Sequence, residues 1–293
     1  MVLCGKYLFE ILVDTLKRAN NKYRVTIPWY IMTSEENNKE TQEFLEKHNF
    51  FGYSRKDVCL FKQGKLPLIN KQGKLIIGKN MLIKEASNGN GGVFNSMKKA
   101  GIIEDLDKRK IEWVFVGGVD NILLKLVDPY LIGLGVVNEA KVASKTVLKI
   151  KPEERVGVFC KQNEKIKIIE YTEMPEEVIA KENEQAELVF GESHILANLF
   201  SIEAVKKAST EVMPYHIAIK KSSFINENGE VVKPKSPNCY KFERFLFDVF
   251  GLFENISILR GKREEDFAPI KNSEGEDSPE TAKKLYNDYW KKC

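Results

Sequence analysis

No apolar run in this 293-residue sequence is longer than a strand or a short helix, and such runs alternate with amphipathic segments. That alternation points to an α/β chain, with helices laid over the faces of a sheet. Residues 7–20 set Leu8, Ile11, Leu12 and Leu16 at helical spacing, with Lys17 and Arg18 near the C-terminal end. A β-rich run at 25–32 leads into Thr33-Ser34-Glu35-Glu36. Those hydroxyls suit a cap and those acids the first turn of a helix reaching about Lys47. Residues 58–62 read as a strand and 91–100 as a helix entered from a glycine-rich turn.

The middle of the chain predicts a buried strand at 112–119, a short helix at 121–126 and another apolar segment at 130–137. Strands are expected at 146–150, 156–160 and 166–171, the last two forming a hairpin about the polar turn 161–165. Helices are expected at 174–181, 202–208 and 242–250, the last with Phe242, Phe245, Leu246 and Val249 on one face. Residues 256–260 read as a strand and 279–291 as a polar terminal helix. The segment 221–241, with Pro234 and Pro237, reads as a surface excursion rather than a domain boundary. The expectation is one domain over residues 1–293, with a mostly parallel sheet, helices on both sides and some antiparallel additions.

Composition removes several classes. Hydrophobic residues make up 43% and charged residues 30%, enough apolar surface for a core and too much for a disordered chain. No run approaches the roughly 18 apolar residues of a membrane-spanning helix. The formal charge is +4, with signs interspersed, so nothing argues for nucleic acid. Cys4, Cys59, Cys160, Cys239 and Cys293 are scattered, with no CxxC pair. That favours a reduced, cytoplasmic setting over a zinc site. Glu10 interrupts the apolar N-terminal stretch, so no signal-peptide pattern is present.

Four segments carry candidate chemistry. Asn88-Gly89-Asn90-Gly91-Gly92 places three glycines in five residues ahead of a helix. That pattern suits a tight turn or a close approach of backbone to a ligand. Val119-Asp120-Asn121 follows an apolar strand ending in Gly117-Gly118. Asp120 there is either a helix N-cap or an acid beyond a strand end that holds Mg²⁺ against phosphate. Glu170-Tyr171 ends another strand and offers a carboxylate for sugar hydroxyls and a ring for packing. Lys271, in Phe267-Ala268-Pro269-Ile270-Lys271-Asn272, is either solvated or a point charge for phosphate. His194 and His216 read as structural, and three histidines in all make no metal cluster.

In order, the motifs are more informative than any one of them. Ile27-Pro28-Trp29-Tyr30-Ile31-Met32-Thr33-Ser34 precedes Phe61-Lys62-Gln63-Gly64-Lys65-Leu66-Pro67, the Asn-Gly-Asn-Gly-Gly turn and Val119-Asp120-Asn121. Asp128-Pro129, Val156-Gly157-Val158, Glu170-Tyr171-Thr172-Glu173, Lys241-Phe242-Glu243-Arg244-Phe245-Leu246-Phe247-Asp248 and the segment ending in Lys271-Asn272 follow. From about Lys6 to Leu285 the series resembles the eukaryotic UDP-sugar pyrophosphorylases, and within them the UDP-N-acetylglucosamine branch.

The resemblance implies a Rossmann-like, glycosyltransferase-A-like mixed sheet with helices on both faces. It implies a uridylyltransferase that joins UTP to a sugar 1-phosphate with Mg²⁺, releasing pyrophosphate and a UDP-sugar. It places Gln63, Asn90, Gly91 and Gly92 on the nucleotide, with the Gln63 amide on the uracil edge and backbone at Gly91 against the base. Gly157, Glu170, Tyr171 and His194 fall on the sugar side, Asp120 on the metal, and Asp120 and Lys271 on the catalytic phosphates.

The sequence also departs from the family. It contains no GGxGTRLG-type signature and no nearby lysine in a Pro-Lys-Gly context, and Gly5–Glu10 resembles the segment just after them. Such a change is expected to remove a central strand and expose its neighbours. The chain stops soon after the segment ending in Asn272, where the resemblance implies that the family continues into a smaller C-terminal β domain. The family's Gly-Asn-Ile is Ser193-His194-Ile195 here, and its Pro-Asp-Gly-Asn-Gly-Gly opens with Ser87-Asn88. The expected function is therefore UDP-sugar synthesis, and the alternative is a shortened relative that only binds nucleotide or sugar nucleotide.

Overall fold

A computed structural model describes residues 2–3, 5–226 and 228–292. Cys4 and Cys293, from the cysteine argument, lie outside the described side chains, whereas Cys59, Cys160 and Cys239 are free thiols.

Helix α1 (Leu8–Tyr23) buries Ile11, Leu12, Val13, Leu16 and Ala19, close to the expected stripe. It packs on a parallel pair, β1 (Trp29–Thr33) and β2 (Val58–Lys62), linked through α2 (Asn38–Lys47). Val13, Leu16, Ile31, Leu45 and Val58 close this first core. Helices α3 (Val93–Lys99) and α4 (Ile102–Lys108) follow, then β3 (Trp113–Gly117), α5 (Pro129–Val137) and β4 (Val142–Leu148). The expected hairpin is β5 (Val158–Gln162) with β6 (Lys165–Ile169). Then come β7 (Glu192–Ser201), α6 (Ile202–Ala208), β8 (His216–Lys220), β9 (Cys239–Glu243), β10 (Ile256–Arg260) and α7 (Pro279–Lys292).

The main sheet runs β6-β5-β7-β4-β10, with β3 also on β7. Within it only β10 and β4 pair in parallel, and the other pairs are antiparallel. The mostly parallel sheet expected from helix–strand alternation is therefore a mixed, mainly antiparallel one. The difference comes from β7, a ten-residue strand that the sequence reading missed. From Ala197 to Phe200 it is buried on both faces, which erases the period-two signal of a strand. Helices do cover both faces. Val114, Val116, Val142 and Phe200 pack with α3, α4 and α6, while Trp113, Phe115, Ala143 and Leu199 pack with Leu131 of α5.

β7 also carries the feature that opens the sheet. Its register breaks between His194 and Asn198, where Leu196 adopts φ +51°. A non-glycine residue in that region inside a strand marks a bulge. β3 pairs with Ala197–Ser201 on one side of the break, and β5 meets Ser193 on the other. Between them β3 leaves the sheet.

Other expectations change for identifiable reasons. The strand near 112–119 is half-buried rather than buried, because among the described residues β3 pairs along one edge only. Residues 121–126 form no helix, since Asn121 spends its side chain on distant backbone, as described below. Residues 130–137 are α5, with Pro129 at its first turn and the Asp128 carboxylate accepting from Tyr130 N–H at 2.9 Å. Residues 174–181 contain only one helical turn, Glu176–Ile179. Residues 242–250 are the end of β9 followed by a 3₁₀ segment, Leu246–Leu252, because Phe245 between them is extended.

A buried ion cluster sits behind the site. Lys145 of β4 donates to Asp128 at 2.6 Å and to Asp266, and all three side chains are 5% exposed. Lys125 approaches the same Asp266 at 3.1 Å. Removing Lys145 leaves the buried Asp128 carboxylate without a cation and Asp266 with Lys125 alone. Lys145→Met is therefore predicted to lose about 3–5 kcal/mol of unfolding free energy in urea titration. A loss below about 1 kcal/mol would mean that water screens the cluster.

Candidate active site

Beyond β3, Gly118-Val119-Asp120 turns out beside the β7 bulge. A Cβ on Gly118 would sit 2.5 Å from Asp120 Oδ1 and 3.1 Å from Leu196 Cδ2. The bare backbone at Gly118 leaves room for the Asp120 carboxylate beside the bulge. The Asp120 carbonyl accepts from Ile270 N–H at 3.0 Å. Asn121, 2% exposed, donates from Nδ2 to the Asp266 carbonyl at 2.8 Å and accepts from Ala268 N–H at 2.9 Å. These bonds fasten the 266–270 segment along 120–122 and bring Lys271 to the rim that carries Asp120. Lys271 Nζ lies 3.5 Å from the Arg155 carbonyl and 3.7 Å from the Asp277 carboxylate. Among the described residues, no protein group bonds the Asp120 carboxylate.

One wall joins Gln63 to the glycine-rich turn. Gln63 N–H donates to the Thr33 carbonyl at 2.8 Å, and Asn88 N–H donates to the Gly64 carbonyl at 3.1 Å. A Cβ on Gly64 would sit 2.7 Å from Asn88 Nδ2. The Gln63 side-chain amide is left without a protein partner among the described residues. The turn itself is tied to the segment after β9. Gly91 N–H donates to the Arg244 carbonyl and Arg244 N–H to the Asn88 carbonyl, each at 2.8 Å. Leu246 N–H donates to Asn90 Oδ1 at 2.9 Å. A Cβ on Gly91 would fall 2.6 Å from the Phe245 carbonyl oxygen, and Gly91 and Gly92 are buried. The glycine at 91 thus admits another stretch of protein backbone, a packing reason independent of any base. Asn88 Oδ1 and Arg244 Nε remain buried without partners.

The opposite wall gathers Gly157, Glu170 and His194. His194 N–H donates to the Gly157 carbonyl at 2.8 Å. A Cβ on Gly157 would lie 3.0 Å from Ile168 Cγ2 and 3.5 Å from Glu170 Oε1. Burial, and then the neighbouring Glu173 charge, raise the Glu170 pKa above the usual carboxylate range. The Lys271 charge reaches Glu170 and acts in the other direction. Tyr171, next along the turn, is 41% exposed. The His194 ring is bounded edge-on by Phe159, Phe247 and Phe250, with centroids 5.6–6.0 Å away. Although part of the residue reaches solvent, the packing lowers its pKa to about 4, and Nε2 lies 3.0 Å from Asn198 Oδ1. His194 is therefore a neutral part of an aromatic wall.

The structure brings Gln63 together with the 88–92 turn, Asp120 with Lys271, and Gly157 with Glu170 and His194. Sequence reasoning missed the Leu196 bulge and the Arg244–Phe245 backbone against the glycines. It also gave His216 no partners, whereas the ring stands between Glu173 and Asp248. These are contacts between segments far apart in sequence, and no local spacing encodes them.

Known proteins share this fold and much of this sequence. The family model described as UTP--glucose-1-phosphate uridylyltransferase matches residues 2–276. The human UDP-N-acetylhexosamine pyrophosphorylase-like protein 1 is 36% identical over 289 residues, covering 95% of this chain and 57% of its own length. The UDP-N-acetylglucosamine pyrophosphorylase of Saccharomyces cerevisiae is 34% identical over 96% of this chain and 61% of its own. The chain thus spans under two thirds of these curated relatives. Among solved structures, an Entamoeba histolytica protein assigned as UDP-N-acetylglucosamine pyrophosphorylase superposes with a TM-score of 0.88 at 35% identity. That match covers 97% of this chain and 73% of the other. The Trypanosoma brucei UDP-N-acetylglucosamine pyrophosphorylase, solved with an inhibitor, gives a TM-score of 0.83 at 29% identity, covering 97% of this chain and 60% of its own. With this Rossmann-like mixed sheet and these matches, the chain belongs to the UTP--glucose-1-phosphate uridylyltransferase family.

Proposed function

We propose that this chain carries the substrate cleft of a uridylyltransferase that makes UDP-N-acetylglucosamine and pyrophosphate from UTP and N-acetylglucosamine 1-phosphate. The supporting observation is that a chain of this family carries a Gln63 amide and an Asp120 carboxylate unpartnered among the described residues, with the Lys271 charge reaching Glu170. The Gln63 amide offers a donor and an acceptor, which is what the uracil edge requires. Asn90, Gly91 and Gly92 shape the floor beside it. Glu170 accepts from sugar hydroxyls, while Gly157, Tyr171 and the aromatic wall holding His194 bound the sugar.

In this reading an oxygen of the sugar phosphate attacks the α-phosphorus of UTP in line. The bond to the α–β bridging oxygen breaks, and pyrophosphate leaves with that electron pair. No protein nucleophile is needed, and the residues work by positioning and by charge. Lys271 supplies a fixed positive charge near the phosphates. Mg²⁺ fits the donor set: Asp120 is one unengaged, partly exposed carboxylate, and Mg²⁺ in such sites takes one or two carboxylates with substrate oxygens and water. When bound, the ion offsets phosphate charge.

No described helix is long and apolar enough to cross a membrane. The free thiols support a cytoplasmic setting, and the reading requires neither nucleic acid nor a membrane. A second reading is a cleft that binds nucleotide or sugar nucleotide with little turnover.

Calorimetric titration separates these readings from no function at this cleft. UDP-N-acetylglucosamine is expected to bind, and Gln63→Ala and Glu170→Ala each to weaken it by about tenfold or more, the equivalent of 1.4 kcal/mol. A folded chain that binds neither UTP nor the UDP-sugar contradicts both readings. For the metal, UTP is expected to bind about tenfold more tightly with Mg²⁺ than with EDTA. Asp120→Asn should erase that difference, and its persistence would move the ion elsewhere.

A further inference from the structure

His216, in β8, faces a carboxylate at each ring nitrogen. Nδ1 lies 2.7 Å from Glu173 Oε1, and Nε2 lies 3.0 Å from Asp248 Oδ2. A carboxylate only accepts, and a neutral imidazole has only one N–H. Both contacts are hydrogen bonds only when the ring carries two protons. The three residues come from three different places. Glu173 closes the turn after β6, its N–H donating to the Glu170 carbonyl at 2.9 Å. Asp248 lies in the 3₁₀ segment, where the same Oδ2 accepts from Phe245 N–H at 3.3 Å. Phe245 lies against Gly91, and the next N–H, from Leu246, is held by Asn90. A continuous run of contacts thus joins the Glu170–Glu173 turn on one wall to the glycine-rich turn on the other, and His216 is the link that a proton can make or break.

We propose that His216 is a positioning residue for the cleft: its doubly protonated ring pins the Glu170–Glu173 turn to the start of the 3₁₀ segment, and loss of one proton releases that turn. The substrate consequence rests on the function proposed above, because Glu170 and Tyr171 ride on the pinned turn.

The surroundings support the charged form. The ring is 18% exposed, Asp248 14% and Glu173 47%, so Asp248 is the well-shielded partner and Glu173 the one that water can replace. Phe245 and Phe247 pack on the ring at 4.7 and 6.1 Å. Glu243 stands opposite His216 in the β8–β9 register but is ion-paired to Lys241 at 2.8 Å. Glu170 adds negative potential nearby, and Lys271 opposes it. Burial alone would lower the His216 pKa, but the bonds to Glu173 and Asp248 outweigh it and raise the value above the ordinary histidine range. Burial raises Asp248 as well, more than the imidazole lowers it. The sign follows from linkage. A raised histidine pKa makes the pin fully effective below about 6.5, and it is lost as pH rises through the higher folded-state value.

The test uses the full chain with isotope-labelled histidine. Its three imidazoles, those of His48, His194 and His216, are assigned by loss of one signal set in His216→Gln. His216 is expected to titrate above about 6.5, and Glu173→Gln to lower its midpoint. Hydrogen-exchange protection of amides 171–174, corrected for intrinsic rates, should fall across that midpoint in the native chain and show no step in His216→Gln. The UDP-N-acetylglucosamine dissociation constant should rise about fivefold or more across the same midpoint, again only with His216 present. A His216 midpoint at or below that of free imidazole, or protection of 171–174 that ignores both substitutions, overturns the proposal. If the UDP-sugar binds at no pH, the proposed function fails, while titration and exchange still decide the pin.

Discussion

Everything at the back of the crevice rests on Lys145. Its ammonium is buried between Asp128 and Asp266, so neither carboxylate can move without leaving a charge unpaired. Asp128 starts α5, and Asp266 starts the segment that Asn121 holds and that ends in Lys271. One side chain of the central sheet therefore sets the position of a helix on one face and of the rim beside Asp120. Such a cluster is a poor source of net stability, because desolvation offsets most of its attraction. Its value lies in geometry: the alternatives to this arrangement carry a buried, unpaired charge. Lys125 adds a second cation on the same Asp266 and also reaches Glu265 at 3.9 Å.

The two walls depend on a different constraint, the close approach of backbones. Gly91 sits where a side chain would collide with the Phe245 carbonyl, and Leu196 takes a positive φ so that β7 can bulge beside Gly118. Between the walls the rigid element is short. Phe245 is fixed by Asp248 on one side and by the glycine-rich turn on the other, and His216 extends that fixation to Glu173. The cleft thus has one side set by packing and one held by ionisable groups. A structure of this kind can keep a nucleotide face rigid while its sugar face responds to proton concentration.

Elements with a clear apolar period were legible in the sequence. The stripe of α1, the β5–β6 hairpin, β2 and β10 fall where Leu12, Leu16, Val58 and Ile256 place them. The motif order singled out Gln63, the glycine-rich turn, Asp120 and Lys271, and the fold ties Gly64 to Asn88 and Asp120 to Ile270 through backbone bonds. β7 was illegible because Ala197–Phe200 is buried all round, and its antiparallel pairings turned an expected parallel sheet into a mixed one. The expected helix at 242–250 fails because two backbone bonds to Asn88 and Gly91 hold Arg244 in extended chain, a force that no local pattern displays. His194, expected on the sugar, lies in a box of three phenylalanines contributed by β5 and by the 3₁₀ segment. Its role as a wall could be read only once those segments were adjacent.

The central claim is that Gln63, Asp120, Lys271 and Glu170 serve a single ligand. A crystal structure of the chain soaked with UDP-N-acetylglucosamine and Mg²⁺ tests it most directly. The account predicts the uracil edge on the Gln63 amide, the diphosphate between Asp120 and Lys271, and a sugar hydroxyl on Glu170. A ligand bound with both Gln63 and Glu170 beyond hydrogen-bond reach would contradict it.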